Sequence, residues 1–441
     1  MNRPMILIIL LVLVAFISAI EVNCVTVTDY PAEEGLPIGV CMKGQYIYVT
    51  GFNQSPSGAI PLMKRYDVRD GSLIETLRTQ VMGIGWPTDC VVSGHRLYVV
   101  GHVNETWSIF SLNLDLDNKR ENKSLVRGVP LSVTSDGQFL YVAGYDKVGI
   151  DGERWRVEWR NIGNLSLIGV YPSSNVKYVG RAVAIRLNPV TRQLWVVGYN
   201  STDWHIEILR RNLSRVAVIR PDVRGRALGV VFDEEGNAYV YGIGGVIKYD
   251  ADNRELARAI SFNVSGAVYV NGTLFIVTMD NWLVISDKNL REINRVDLSP
   301  EVSKCVNVKG NVRAEKAVSD GKVLYVAGRV RLENSHNWKW VIYAVSLPKP
   351  VQQSAETVKI PTGSMPPLGS SSTTQTSTSI ISSTSPLASN ISDRVGGGGL
   401  FPYFMPLIVV IVVIAGLVVW GFVLRRPRIE RVGGVNGDFC I

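Results

Sequence analysis

The sequence predicts an all-β chain in which seven four-stranded sheets form a closed ring, a seven-bladed β-propeller. Three observations lead to this fold class. A short phrase recurs seven times in the 441 residues, each repeat carries four short β-rich runs joined by turn residues, and a spare run at the amino-terminal end matches a missing run at the other end. The phrase recurs at intervals of 36 to 54 residues, and self-similarity at such a period is typical of propellers and solenoids.

The recurring phrase is the second run of each repeat. It reads YIYVTG at residues 46–51, LYVVG at 97–101, LYVAG at 140–144, LWVVG at 194–198, AYVYG at 238–242, LFIVT at 274–278 and LYVAG at 324–328. This run is almost wholly apolar, as in a strand buried on both faces, whereas the third run alternates, as in HIEILRR from His205. Sheets stacked around an axis cover both faces of such strands.

The ends of the repeat array predict how the ring closes. The seventh repeat stops after its third run, residues 339–347, and Pro348 and Pro350 follow. The run VTVTD at residues 25–29 precedes the first repeat and has no repeat of its own. We expect this amino-terminal strand to complete the seventh sheet, so that the propeller spans residues 23–349.

Phrases such as KGQYIYVTGF and DGQFLYVAGY resemble a short β-propeller repeat of secreted and surface proteins in prokaryotes. The resemblance covers residues 24–349. It departs from the pattern in the sixth repeat, where Thr278 replaces the glycine, and in the fifth, which lacks the long loop. With the stalk and anchor described below, the layout is similar to that of archaeal surface glycoproteins, which implies a place on the cell surface. A propeller is compatible with many functions.

The two ends of the chain predict export and anchoring. An apolar run follows Arg3 and ends at small residues, which predicts a signal peptide over residues 1–22; an uncleaved anchor is the alternative. Residues 406–424 carry no charge and are long enough to cross a bilayer, so residues 400–424 are predicted as a transmembrane helix. Arg425, Arg426 and Arg428 place the tail, residues 425–441, in the cytoplasm. The chain is predicted to be a single-pass type I membrane protein.

Residues 350–399 form a predicted stalk between the ring and the membrane. They are rich in Ser, Thr, Pro and Gly, and such a segment buries too little apolar surface to fold. Nine Asn-x-Ser/Thr sequons outside the membrane segment and tail predict a glycoprotein. The candidate glycosylation sites are Asn53, Asn104, Asn122, Asn164, Asn200, Asn212, Asn263, Asn271 and Asn390.

The five cysteines are too few for a disulfide scaffold. Cys41 and Cys90 occupy the same run in repeats one and two, and export permits a bond between them. Cys24 and Cys305 are a second candidate pair, which would tie the closing strand to the seventh blade. Cys440 lies in the predicted cytoplasmic tail and is expected to be reduced.

No catalytic, cofactor or metal site is predicted. The four histidines, His95, His102, His205 and His336, have no metal-ligand spacing, so we expect hydrogen-bonded or solvated loop histidines. The alternating acidic and amide residues after the third run, Asn113 to Asp117 and Asp250 to Asn253, are typical of turns. Asp89, Arg181 and Glu315 begin first runs, and they are the candidates for a charged cluster on the axis.

Five tryptophans open the third run of their repeats: Trp107, Trp155, Trp204, Trp282 and Trp338. Two interpretations stay open. The indoles form a ring that stacks on a ligand such as a sugar, or they fill the wedge between neighbouring blades. The packing interpretation is favoured.

These observations predict a cell-surface glycoprotein in the cell membrane whose extracellular propeller mediates binding, adhesion or envelope structure. Its partner is expected to be an envelope protein or glycan. No basic block with interleaved aromatics appears in the body, so no nucleic-acid partner is predicted. The alternative is an extracellular enzyme or solute receptor that uses the central funnel of the propeller.

Overall fold

The computed structural model describes residues 22–26, 34–55, 58–69, 72–81, 86–149, 152–172, 179–306, 310–332 and 338–347. All of them lie in the first of the two units into which the chain divides, Met1–Ala355, and none lies in the second, Glu356–Ile441. The predicted signal peptide up to residue 21, the stalk, the transmembrane helix and the tail lie outside the described residues. Within the described ranges, no helix is long and apolar enough to span a membrane.

The described chain consists of 27 strands and one short helix, α1 (Ser299–Cys305). The strands of the first half are β1 (Val22–Thr26), β2 (Glu34–Lys43), β3 (Tyr46–Ser55), β4 (Gly58–Arg69), β5 (Ser72–Val81), β6 (Trp86–Ser93), β7 (Arg96–Val103), β8 (Thr106–Asn113), β9 (Arg120–Ser135), β10 (Phe139–Val148), β11 (Gly152–Asn161), β12 (Leu167–Pro172), β13 (Gly180–Leu187) and β14 (Leu194–Asn200). Those of the second half are β15 (Asp203–Leu209), β16 (Arg215–Ile219), β17 (Ala227–Phe232), β18 (Ala238–Gly242), β19 (Gly245–Tyr249), β20 (Glu255–Ala259), β21 (Val264–Val270), β22 (Thr273–Thr278), β23 (Trp282–Asp287), β24 (Glu292–Asp297), β25 (Gly310–Ser319), β26 (Val323–Leu332) and β27 (Trp338–Ser346).

Five sheets in the described part of the chain have four antiparallel strands each. Four of them keep chain order, as β2–β5, β13–β16, β17–β20 and β21–β24, and the fifth has the order β1-β27-β26-β25. The turns reuse one device, in which the tyrosine of the phrase donates its hydroxyl to the turn aspartate, as from Tyr141 to Asp136 at 3.2 Å. The predicted all-β fold of four-stranded antiparallel units is confirmed in these five sheets.

The remaining strands, β6 to β12, form a single seven-stranded sheet. The long strand β9 pairs with β8 through residues 120–127 and with β10 through residues 128–135. Gly128, with φ of 149°, lies where the pairing changes. The prediction of seven separate four-stranded sheets is therefore wrong. Predicted blades two and three share one strand, because the last strand of one continues into the first strand of the next without a loop.

A ring of strands surrounds a central axis. We call the first strands of the repeats the inner strands; they are β2, β6, residues 128–135 of β9, β13, β17, β21 and β25. Each inner strand contacts the next one along the chain, and β25 contacts β2. The ring of inner strands is thus closed.

The hydrophobic core lies between successive repeats. It divides into seven clusters among the described residues, and each combines side chains of two neighbouring repeats. In the cluster that joins the two ends of the array, Val49 and Tyr66 pack with Tyr325 and Trp340. The phrase is apolar because both faces of its strand contribute to such clusters.

The amino-terminal strand completes the last sheet. β1 pairs antiparallel with β27, with Val22 opposite Val345 and Thr26 opposite Val341. The predicted closing strand is therefore confirmed, although it begins three residues earlier than the run at residues 25–29. Its first residue, Val22, falls in the predicted signal peptide.

Steric crowding explains why the phrase ends in glycine in six of the seven repeats. Each inner strand has a β-bulge immediately after the residue that pairs with the end of the phrase. A Cβ atom on Gly198 would lie 2.0 Å from the carbonyl oxygen of Arg181, and the equivalent approach at the other phrase glycines is 2.1–2.6 Å. The bulge brings the inner-strand backbone too close for a side chain. In the sixth repeat the hydroxyl of Thr278 instead accepts a hydrogen bond from the main-chain N–H of Trp282.

Candidate functional site in the axial cavity

A cavity of about 340 Å³ lies inside the ring and is lined by residues of all seven inner strands. The residue directly after each bulge defines one level of this cavity. In ring order these residues are Gly39, Asp89, Ser132, Ala184, Gly229, Gly266 and Lys316. Three polar side chains therefore converge at a level where the other positions carry only glycine or alanine.

Asp89 is the buried anion of the cavity. Its Oδ2 accepts hydrogen bonds from the Ser132 hydroxyl at 2.8 Å and from the main-chain N–H of Val133 at 3.1 Å. The guanidinium of Arg186 lies 3.3 Å from the same oxygen and donates to Ser132 Oγ at 2.8 Å. Charge-assisted hydrogen bonds of this kind are stronger than bonds between neutral groups. Asp89, Ser132 and Arg186 thus form one hydrogen-bonded unit.

Lys316 and Tyr241 face the same cavity from other strands. Burial lowers the pKa of the Lys316 ammonium; Asp89 and Glu315 oppose this effect, and Arg186 adds to it. Burial raises the pKa of the Tyr241 hydroxyl, which lies beside the main-chain N–H of Ala267. The Tyr241 ring occupies the place of a side chain at Gly229, where a Cβ atom would lie 2.2 Å from the tyrosine hydroxyl.

Of the three residues predicted for the axis, only Asp89 lines the cavity. Arg181 forms an ion pair with Glu153 at 2.6 Å. Glu315 is the bulged residue of β25 and pairs with Arg329 at 2.8 Å, while burial raises the pKa of its carboxyl. The prediction is wrong for these two, because a bulge changes which side chain of a strand points inward.

Sequence reasoning missed the other polar residues of the cavity: Ser132, Arg186, Tyr241 and Lys316. A positional signal was present for two of them. Ser132 and Lys316 stand, like Asp89, two residues after the residue that pairs with the phrase glycine. Knowledge of the bulge is needed to use this spacing.

A second polar feature lies at the edge of the ring where the phrase strands end. We call it the arginine edge; it comprises Arg181, Arg226, Arg313 and Arg329. Three of these guanidinium groups lie over aromatic rings, Arg181 over Tyr145 at 4.5 Å, Arg226 over Tyr199 at 4.9 Å and Arg329 over Trp338 at 4.7 Å. Arg313 donates a hydrogen bond to Met279 Sδ at 3.8 Å. Stacking of this kind orients the guanidinium groups.

Exposed apolar side chains accompany the arginine edge. Val148 and Val179 are each 45% exposed, and Ile260 is 53% exposed. All three lie in or next to connections at the same edge as Tyr145 and Arg181. Arginine and apolar side chains together are typical of protein interfaces.

The structure separates the five predicted tryptophans into two groups. Trp107, Trp155 and Trp204 are buried, and their indole N–H groups donate to main-chain carbonyls of the following repeat at 3.0, 3.0 and 2.8 Å. Trp340, rather than Trp338, makes the equivalent bond at 3.1 Å, to Phe52 of the first repeat. Ligand stacking is therefore the wrong interpretation for the three buried indoles, whereas Trp282 and Trp338 are half-buried.

The candidate disulfide between Cys41 and Cys90 is present in the structure, with Cα atoms 5.7 Å apart. It joins β2 to β6, two neighbouring inner strands. Cys305, the last residue of α1, is also disulfide-bonded. The side chain of its predicted partner, Cys24, lies outside the described residues.

The predicted sequons differ in exposure. Asn104, Asn164, Asn212, Asn263 and Asn271 are exposed, and Asn122 and Asn200 are half-buried. Asn53 is only 7% exposed, so its side chain is not accessible for glycosylation in the folded ring. Asn390 lies outside the described residues.

The turn residue Asp250 and the histidine His205 have structural partners. Within the described ranges there is no group of three or more His, Cys, Asp or Glu side chains that could hold a metal ion. Asp250 accepts hydrogen bonds from the main-chain N–H groups of Asp252 and Arg254, as expected of a turn residue. His205 does not lie in a loop as predicted. It is buried in β15, with Nε2 2.9 Å from Glu207 Oε1.

Comparisons with known proteins support the fold. No family model matches the chain, and no curated protein matches its sequence. Among solved structures, streptogramin B lyase is similar with a TM-score of 0.54 and 10% sequence identity, over 74% of this chain and 98% of the lyase chain. At this identity the likeness shows the β-propeller fold alone.

Two further structures have lower scores. BamB from Moraxella catarrhalis has a TM-score of 0.43 and 12% identity, over 70% of this chain and 84% of BamB. Chaetomium thermophilum Sqt1, solved bound to the N-terminus of the ribosomal protein L10, has a TM-score of 0.48 and 12% identity, over 68% of this chain and 85% of the Sqt1 chain.

Proposed function

We propose that this chain is an exported, membrane-anchored surface glycoprotein whose propeller binds an acidic segment of another envelope protein through the arginine edge. The observation that carries the binding function is the arginine edge itself, where oriented guanidinium groups and exposed apolar side chains lie at the same edge of the ring. Arg181, Arg313 and Arg329 lie near carboxylates of the ring, whereas no carboxylate among the described residues pairs with Arg226. Arginine is the cation best suited to bind carboxylates, because its planar fork matches their geometry.

Counting the ring as seven blades is part of this proposal. The seven-stranded sheet counts as two blades that share β9, one built on β7 and the other on β10. Seven inner strands and seven core clusters support this count. The Cys24–Cys305 bond belongs to the same proposal, and the contact between α1 and β1 supports it.

Export, anchoring and glycosylation rest on the sequence. The leader, the uncharged run before Arg425 and the stalk support a type I orientation with the ring outside the cell. The Cys41–Cys90 disulfide supports an oxidising compartment. Protease treatment of intact cells would remove the ring and leave a carboxyl-terminal tag protected. Protection of the ring would contradict the proposed orientation.

Crosslinking on intact cells tests the binding function. The full-length chain with a carboxyl-terminal tag is crosslinked, and captured proteins are identified by mass spectrometry. Arg226→Glu reverses a charge at the arginine edge, where no carboxylate among the described residues pairs with Arg226. Arg192→Glu is the matched control, because Arg192 is exposed in the turn between β13 and β14, at the opposite edge of the ring.

We expect one envelope protein to be captured by the wild type and by Arg192→Glu, with crosslinks in an acidic segment. Capture by Arg226→Glu should fall about tenfold or more, because like charges across an interface cost several kcal/mol. Equal capture by all three chains, or no reproducible protein, would contradict the proposed function.

A second candidate is an extracellular enzyme or solute receptor that uses the axial cavity. The charged cluster around Asp89 and Lys316 favours it over a ring with a purely apolar centre. Loss of a soluble ligand on substitution in the cavity, with partner capture unchanged, would separate this candidate from the first.

A further inference from the structure

Lys316 is a cation without a partner in the axial cavity. It lines the cavity, yet no hydrogen bond or ion pair to its ammonium is found among the described residues. The two nearby carboxylates are already engaged, Asp89 by Ser132 and Arg186, and Glu315 by Arg329. Lys316 is half-buried, so a counter-charge at its ammonium would offset the hydration energy that the ion loses in the cavity.

Lys316 stands close to Asp89 in the ring. In ring order only Gly39 separates them, and its backbone packs closely against the next inner strand, since a Cβ atom there would lie 2.7 Å from the Asp89 Cα. Gly266 lies on the other side of Lys316, and the Tyr241 ring reaches the same cavity from β18. The Tyr241 hydroxyl lies beside the main-chain N–H of Ala267, and its own O–H can act as a hydrogen-bond donor.

Aliphatic side chains form part of the cavity wall. Val40, Met42, Val231, Val268 and Val318 line it, and they come from four different inner strands. A volume of about 340 Å³ is at the small end of ligand pockets. The lining therefore combines polar and aliphatic side chains, and its size suits a ligand of few heavy atoms.

Charge decides which anion fits. Asp89, Arg186 and Lys316 line the cavity, and together they leave one positive charge. A monoanion brings this total to zero, whereas a dianionic phosphate would leave an unpaired negative charge in a buried site. An apolar body on the anion would be matched by the aliphatic wall.

We propose that the axial cavity binds a small monocarboxylic acid with a short aliphatic body. The carboxylate accepts hydrogen bonds from the Lys316 ammonium and the Tyr241 hydroxyl, and the aliphatic part packs against the valines of the inner strands. This site is independent of the arginine edge, and it supplies the solute-receptor candidate with a ligand class.

Binding of such an acid is linked to protons. Burial lowers the pKa of Lys316 in the free protein, with Asp89 and Glu315 opposing the effect, and Arg186 adding to it; Tyr241 faces the same cavity. A bound carboxylate favours the charged ammonium and raises that pKa, so binding takes up protons near it. Affinity should be constant below the pKa of the free protein and fall as the pH rises above it.

Isothermal titration calorimetry on the full-length chain in detergent tests the proposal. Isovalerate is the probe, isovaleramide is its neutral isostere, and inorganic sulfate is the dianion. We expect isovalerate to bind, and the other two to bind at least about tenfold more weakly. Repeating the titration in two buffers of different ionisation enthalpy reports the proton uptake.

Variants locate the site. Lys316→Met should weaken isovalerate binding about tenfold or more, and Lys316→Arg should retain part of it. Lys322→Met is the matched control, since Lys322 is exposed in the turn between β25 and β26, and it should bind like the wild type. Circular dichroism checks the fold of each variant. If Lys316→Met does not fold, the proposal is tested by the isovalerate affinity of Lys316→Arg and by the pH dependence of the wild-type affinity.

Three results would overturn the proposal: no binding of isovalerate to the wild type, equal binding of isovaleramide, or wild-type affinity in folded Lys316→Met. None of them bears on the partner-binding function, which is read from crosslinking of Arg226→Glu. Conversely, loss of partner capture leaves the calorimetry unaffected, so the two proposals fail separately.

Discussion

Replacing Trp155 by phenylalanine should lower the free energy of unfolding by about 2–5 kcal/mol. The buried indole N–H donates to the Tyr199 carbonyl of the next repeat at 3.0 Å, and the indole packs edge-on against His205 with ring centroids 4.8 Å apart. Phenylalanine removes the donor and leaves a buried carbonyl unpaired, which costs about 1–3 kcal/mol. The smaller ring also leaves a void, which adds about 1–2 kcal/mol.

The assay is urea unfolding of the full-length chain in detergent, followed by circular dichroism in the strand band. Trp282→Phe is the matched control, since Trp282 is half-buried and its indole N–H has no hydrogen-bond partner in the described part of the chain. We expect the control to cost about 1 kcal/mol or less. A loss of under about 1 kcal/mol in Trp155→Phe, or a loss equal to that of the control, would refute the assignment of this indole to packing between repeats.

Three further predictions concern the ring. Reduction of the Cys41–Cys90 bond, which closes a loop across a sequence separation of 49, should destabilise the chain by about 4 kcal/mol. Dithiothreitol should therefore lower the urea midpoint of the wild type by more than that of the double alanine variant, in which the bond of Cys305 remains to be reduced. Glu158→Gln should lower the free energy of unfolding by about 3–5 kcal/mol, because Glu158 is fully buried in an ion pair with the buried Arg160. Glu121→Gln, at the exposed pair with Lys123, should lower it by less than about 1 kcal/mol, and equal urea midpoints of the two variants would contradict this prediction. Gly198→Ala should lower the midpoint by more than a typical surface substitution, because its Cβ atom would lie 2.0 Å from a carbonyl oxygen.

The general architecture was readable from the sequence because the repeats are local patterns. An apolar run with turn residues on both sides predicts a strand that is buried on both faces, and the described phrase strands are such strands. The spare run at one end of the array and the missing run at the other predicted the pairing of β1 with β27. The sequence did not predict that blades two and three share β9, because this depends on the loss of a loop within a continuous β-rich run.

The sites were harder to predict from the sequence, because they depend on which side chains of different repeats lie close together in space. Cys41 and Cys90 were matched by equivalent positions in two repeats, and the structure brings them together. The tryptophans shared a sequence position, yet whether an indole is buried depends on the next repeat, and in the last repeat the position belongs to Trp340.

By itself, the sequence determined an all-β repeat fold, a strand order within each repeat and closure by the amino-terminal strand, because hydrophobic periodicity and turn residues act over a few neighbouring positions. Only the tertiary structure decided the axial site. Asp89, Ser132 and Lys316 lie in three repeats, and the bulge in each inner strand turns their side chains toward one cavity. The ring brings together charged side chains that lie far apart in the sequence, and together they form a candidate binding site.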